Sequence, residues 1–143
     1  MRREKRMALL ALGMALLAPA SPAAAKEPIT GRWITAERNA EVAIARCGKA
    51  LCGRIARFLI APAGGDDQRD VNNPDPALRS RRLIGTAILT GLNPDGAVWR
   101  GQIYDPKTGR SYTAEVRRSA PGTLEVKGCF GPLCQTQVWT RAR

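Results

Sequence analysis

Over most of this chain apolar and polar residues alternate in short stretches, and each stretch ends at a cluster of glycine, proline, asparagine or aspartate. A period of two places successive side chains on opposite faces, the mark of a half-buried β-strand. Eight such stretches, rich in β-branched residues, stand out: Ile29–Ala36, Ala40–Cys47, Gly53–Ile60, Leu83–Thr90, Ala97–Tyr104, Ser111–Arg118, Thr123–Cys129 and Cys134–Arg141. In the sixth, Tyr112, Ala114 and Val116 share one face, and Thr113, Glu115 and Arg117 share the other. The connections Leu92–Gly96, Asp105–Arg110 and Ser119–Gly122 are short and carry turn residues, so they join antiparallel neighbours.

One connection is different. Ala61–Arg82 is too long and too polar for a strand, and long loops in compact domains are commonly functional. Within it Asp75 is placed to cap a short helix that has Pro76 at its first position and continues through Arg79. The expected fold is all-β: an eight-stranded antiparallel up-and-down barrel with this one long loop, and its short helix, across an end. An open sandwich is the alternative, but closure pairs every strand and leaves no edge. At eight strands the interior is either filled by side chains or holds one small ligand.

The first residues do not share the pattern. Residues 2–6 are basic, Met7–Ala18 is apolar, and small residues follow through Ala23 and Ala25. This is the layout of a cleaved secretory signal peptide. It sets residues 1–25 apart from a single domain at 26–143 and predicts a periplasmic or secreted protein. The apolar run falls short of the roughly 20 residues a bilayer requires, so the chain is not expected to span a membrane.

Export changes the meaning of the four cysteines, which lie in two pairs of equal spacing, Cys47 with Cys52 and Cys129 with Cys134. An oxidising compartment favours disulfides. A four-cysteine zinc site and a redox pair are the alternatives, but the C-x4-C spacing suits neither. In an eight-strand meander the turns alternate between the two ends. The two pairs then lie roughly 15 to 20 Å apart, whereas a disulfide needs Cα atoms within about 7 Å. Each pair is therefore expected to close its own hairpin, and no metal site is expected.

Charge narrows the partners. Taking the leader's four basic residues and one acidic residue from totals of 23 and 12 leaves 19 against 11, a net charge of +8. Such a surface favours polyanions. The cations are scattered through strands and turns without a basic helix or an aromatic ladder, so no nucleic acid partner is predicted. Anionic lipid or envelope polymer remains.

The chain has no histidine. That removes histidine-dependent nucleophilic catalysis and the commonest metal ligand together. Asp66, Asp67 and Asp70 form an acidic cluster that reads as a solvated loop before it reads as a calcium or acid-base site. No enzyme and no cofactor are predicted. The tract from Asn72 to Arg82 is the stronger candidate for binding. Its Asn72, Asn73, Asp75, Arg79, Arg81 and Arg82 are expected over the barrel mouth, where amides and guanidiniums suit an anionic or carbonyl-bearing head group. Tyr104 and Tyr112 join that set, against a plain turn-and-cap reading of Asn73–Asp75 and of Tyr104–Gly109.

The motifs "GRW" at Gly31, "CGKALCGRI" at Cys47, "NPDPALRSRRLIG" at Asn73, "GQIYDPKTGRSYTAEV" at Gly101, and "LEVKGC" and "LCQTQVWTR" toward the end together resemble the exported bacterial family known as domain of unknown function 2147. Arg82 departs from the family pattern, standing where proline is common. The resemblance implies a lipocalin-like barrel in the periplasm without an established biochemical activity. By that analogy Gly31 and Trp33 match the Gly-x-Trp of a lipocalin first strand, and Arg141 matches the arginine that closes one end, with Trp139 as a rival partner for its guanidinium. These four are structural candidates. The resulting expectation is an exported lipocalin-like protein that binds a small amphipathic or hydrophobic ligand in the barrel. The alternative is a basic envelope-interaction module with no internal ligand. Nothing in the sequence indicates an oligomeric state.

Overall fold

The computed structural model describes residues 28–143; the leader expected at 1–25 lies outside the described residues. Eight strands run in chain order: β1 Gly31–Ile34, β2 Ala40–Cys47, β3 Ala50–Phe58, β4 Ala87–Asp95, β5 Val98–Asp105, β6 Arg110–Ala120, β7 Thr123–Phe130 and β8 Leu133–Arg141. Every neighbour is antiparallel, and β1 pairs with β8 to close the cylinder. Two single 3-10 turns, Gly65–Asp67 and Pro76–Leu78, interrupt the β3–β4 loop. The second is capped as its sequence predicts, with the Ala77 N–H donating to the Asp75 carboxylate at 2.9 Å.

Most strand limits shift by a residue or two from the sequence expectation, β6 running on through Ala120 into the expected turn, and three strands differ most. β1 stops at Ile34, because the chain folds back at once: the Thr35 N–H donates to Ala40 C=O, and Arg38 takes a left-handed φ of 57° in the turn. β3 begins at Ala50, since the turn between Cys47 and Ala50 holds only Gly48 and Lys49. β4 is shifted toward the C-terminus. Leu83–Thr86 belongs to the loop, and Asn93–Asp95, expected as a turn, pairs with Arg100, Trp99 and Val98. β3 reaches only Leu92 on the other side, so the missing N–H of Pro94 leaves no gap in a ladder.

Inward side chains fill one half of the cylinder. Trp33, Val42, Ile44, Leu51, Leu89, Leu92, Val116 and Leu124 are buried there. Ile29, also buried, plugs this end from the segment before β1, and its carbonyl accepts the Trp33 indole N–H at 2.9 Å. Gly31, at φ 128°, lets Arg141 approach: a Cβ there would stand 2.0 Å from Nη1. The guanidinium lies 4.7 Å from the Trp33 ring and donates to Thr30 C=O at 3.1 Å. A cation over an indole face contributes about 0.5–2 kcal/mol. The guanidinium of Arg141 thus stacks on Trp33, while Trp139 lies buried and donates its indole N–H to Gln137.

The disulfides join Cys47 to Cys52 and Cys129 to Cys134, with Cα atoms 5.8 and 4.1 Å apart. The first clasps the β2–β3 turn at the filled end, and the second the β7–β8 turn at the other.

Candidate functional site

Pairing across β6, β7 and β8 stacks the inner wall in layers. From the open end inward these are Tyr112–Phe130–Leu133, then Ala114–Gly128–Gln135, then Val116–Val126–Gln137. The second layer is small. Ala114 and Gly128 supply almost no volume, and a Cβ on Gly128 would meet only Ile103 at 3.5 Å and Tyr112 at 3.7 Å. Above the filled half this leaves a cavity of about 850 Å³ open at the loop-bearing end, within the range of small-molecule sites.

Within the rim the lining is largely apolar, supplied by Ile55, Leu83, Ile88, Ile103, Val126 and Trp139. Its rim carries large apolar side chains facing water. Phe130 and Leu133 are 70% and 75% exposed, and Ile60 and Val71 are more than half exposed. Exposed apolar groups gathered around one opening mark an interaction site more strongly than scattered ones do. Charged groups at the rim come in both signs: Glu37, Arg69, Asp105 and Lys107. Glu37 on the β1–β2 turn and Lys107 on the β5–β6 turn form an ion pair across the mouth. Hydrogen bonding and attraction from Lys107 hold the Glu37 carboxyl below its ordinary value.

Inside the wall stand two glutamines, Gln135 and Gln137. An indole N–H only donates, and Trp139 Nε1 donates to Gln137 Oε1 at 3.1 Å. The amide orientation follows, and the Gln137 NH2 group remains a donor beside the apolar floor.

The long loop is anchored by a carboxylate. Asp70, at 0% exposure, accepts from the Tyr104 hydroxyl at 2.5 Å, from Asn73 Nδ2 at 2.8 Å and from Arg81 Nε at 2.9 Å, and pairs with Arg81 Nη2 at 2.8 Å. Burial, then the neighbouring carboxylate, push the Tyr104 hydroxyl up to about 12. Arg81 also lies over the Tyr104 ring at 5.9 Å. Asn72 ties the loop to the β5–β6 turn, donating to Pro106 and Lys107 carbonyls at 3.1 and 3.0 Å. Gly109, at φ 70°, permits that contact, since a Cβ would fall 1.9 Å from the Asn72 carbonyl.

Of the eight candidate binding residues, Asn72, Tyr104 and Tyr112 line the cavity. The other five hold the loop together. Asn73 bonds Asp70 and receives the Asp75 N–H; Asp75 caps the 3-10 turn; Arg79 donates to Asn73 C=O; and Arg81 pairs with Asp70. Arg82 pairs with Asp67 and lies opposite Arg69 in an isolated bridge. The bridging bonds are Asp70 N–H to Arg81 C=O and Leu83 N–H to Gln68 C=O. They flank Arg82, whose own N–H points away from the bridge, and its guanidinium donates to Asp66 C=O at 3.0 Å, a contact a proline would lack. The acidic cluster is dispersed: Asp70 is buried on Arg81, and Asp67 faces Arg69 and Arg82. Among the described residues no group of three or more carboxylates or cysteines is placed to hold a metal ion, and no helix is long and apolar enough to cross a membrane.

A closed up-and-down cylinder packed at one end and hollow at the other is a lipocalin-like barrel. The chain belongs to the bacterial family DUF2147, described as an uncharacterized protein conserved in bacteria, which matches residues 31–141. Among solved structures it is similar to protein HP1028 from Helicobacter pylori, described as belonging to the lipocalin family. The TM-score is 0.69 at 21% identity, covering 81% of this chain and 84% of that one. At that identity the likeness establishes the fold. No curated protein matches the sequence.

Proposed function

We propose that this barrel is a non-enzymatic binding protein of the cell envelope that takes a small amphipathic molecule, of the fatty-acid or lipid kind, into its open half. The observation that carries this reading is the cavity of about 850 Å³. It has an apolar floor, a rim of exposed apolar side chains and charged groups only at the mouth. An apolar tail gains most by leaving water for such a floor, and a polar head stays beside Lys107, Arg69 and Glu37. The leader-like residues 1–25 support export to the periplasm.

The alternative, a basic module adhering to anionic envelope polymer, draws on the net charge. Several of the cations on the barrel wall are already engaged by carboxylates instead of being gathered for a polyanion: Arg32 and Arg57 pair with Glu41, Arg100 with Asp95 and Glu115, and Arg117 with Glu125. The cavity reading is therefore preferred.

Titration with a dansylated fatty acid tests it. Saturable binding of one probe per barrel is expected, with blue-shifted emission, and Gly128→Leu should abolish it by filling the second layer without unfolding the protein. Non-saturable binding, or a Gly128→Leu variant that binds like the parent, would count against the proposal, and binding that vanishes with moderate salt would favour the polymer reading.

A further inference from the structure

The seam that closes the barrel is short. Only Trp33 with Arg141 and Ile34 with Thr140 pair between β1 and β8. β1 ends there, while β8 and its partner β7 continue to the turn at Gly131 and Pro132. Leu133–Trp139 therefore rises about 20 Å beyond the end of β1, at about 3.3 Å per residue. On its β1 side it has no strand partner among the described residues.

The register shows which groups face the gap. The Arg141 N–H donates to Gly122 C=O, so Thr140 and Thr123 form a non-hydrogen-bonded pair of the β7–β8 ladder, and alternate pairs follow. The 4.1 Å between the Cα atoms of Cys129 and Cys134 fits the same class of pair. Cys134, Thr136 and Val138 accordingly direct their N–H and C=O groups away from β7, into the gap. The run from Leu133 to Thr140 contains no charged residue, no proline and no glycine. Proteins ordinarily guard a free edge with such residues or with a bulge.

The gap also opens onto the cavity. Thr35, Glu37 and Asn39 on one side, and Gln135 and Gln137 on the other, line the same space.

We propose that the β8 edge binds an extended, uncharged polypeptide segment as an added strand. Main-chain hydrogen bonds to Cys134, Thr136 and Val138 hold it, and its alternate apolar side chains face the cavity mouth. A second copy of this chain is the lesser candidate. Three edge residues on each side supply far less than the roughly 800 Å² per partner of a stable dimer. The edge adjoins the amphipath site at the cavity mouth, but its main-chain groups do not require that site to be occupied.

The probe is an N-acetylated, C-amidated Ser-Val-Thr-Val-Thr-Val-Ser peptide, followed by amide NMR. In the free protein the Thr136 and Val138 amides should exchange quickly, and the peptide should protect them. A peptide N-methylated at alternate residues should lose at least about tenfold in affinity. Thr136→Pro should do the same, since it removes an edge donor while sparing the β7 ladder and leaving dansylated fatty acid binding intact. No binding at millimolar peptide, equal binding of the N-methylated peptide, or edge amides already protected in the free protein would overturn the proposal. Protection that grows with protein concentration would place a second copy at the edge and would also overturn it.

Discussion

Asp70 shows how far a single side chain organises this molecule. Its carboxylate takes hydrogen bonds from Tyr104, Asn73 and Arg81 while fully buried, so truncation leaves a buried amide, a phenol and a part-exposed guanidinium without their shared acceptor. Asp70→Ala should cost about 3 kcal/mol in urea denaturation, and Tyr104→Phe about 1–2 kcal/mol. The phenol titrates near 12 instead of near 10. A raised folded value means the fold favours the protonated form, so this stabilisation is complete below pH 10 and fades as the pH rises toward 12. Little of this was legible in the sequence: Asp70 sits in an acidic stretch that reads as solvated loop, and although Asn73 is three residues away, Arg81 and Tyr104 are 11 and 34 residues away. Glu41 behaves in the opposite sense. It lies on the outer face at 2% exposure between Arg32 and Arg57, at 2.6 and 2.9 Å. Burial would raise its carboxyl, but the two guanidiniums outweigh burial and hold it below its ordinary value of 4.5. Its contribution is full above that pH and is lost as the pH falls through the folded value. Urea midpoints measured against pH should decline on the acid side, and Glu41→Gln should flatten the decline.

Among the elements, the β7–β8 hairpin stands apart because it overhangs β1 with one edge free. Its own staple is the Cys129–Cys134 disulfide. Replacing both cysteines by serine should cost about 2 kcal/mol in the chain-entropy account and speed amide exchange at Phe130 and Leu133, with β2–β3 unaffected. Unchanged exchange there would mean the hairpin is held by something other than its bridge. The eight strands and the pairing of each cysteine couplet were legible, because both depend on local alternation and on the rule that turns alternate between ends. The limits of β1 and β4 were not. Ile29–Ala36 alternates well enough to read as one strand, yet the Thr35–Ala40 hydrogen bond turns the chain early, and the notch beside β8 lies in that difference.

For the whole molecule, the consequential feature is the division of one cylinder into a packed half and a hollow half. A sequence with few aromatics allowed either a filled or an empty lumen. The outcome was settled by cross-strand register, which aligns Ala114 with Gly128 in one layer and gathers Trp33, Leu92 and Leu124 at the far end. The candidate loop residues divided the same way: those whose side chains faced the cavity could not be told by composition from those that bond within the loop. Mapping amide and methyl shifts during titration with dodecanoate tests the division most directly. Saturable shifts at Ile88, Ile103, Tyr112, Gly128 and Gln137, with Trp33, Leu92 and Leu124 unmoved, are the expected result. Shifts confined to the outer wall or the packed end, or none at saturating dodecanoate, would contradict the account.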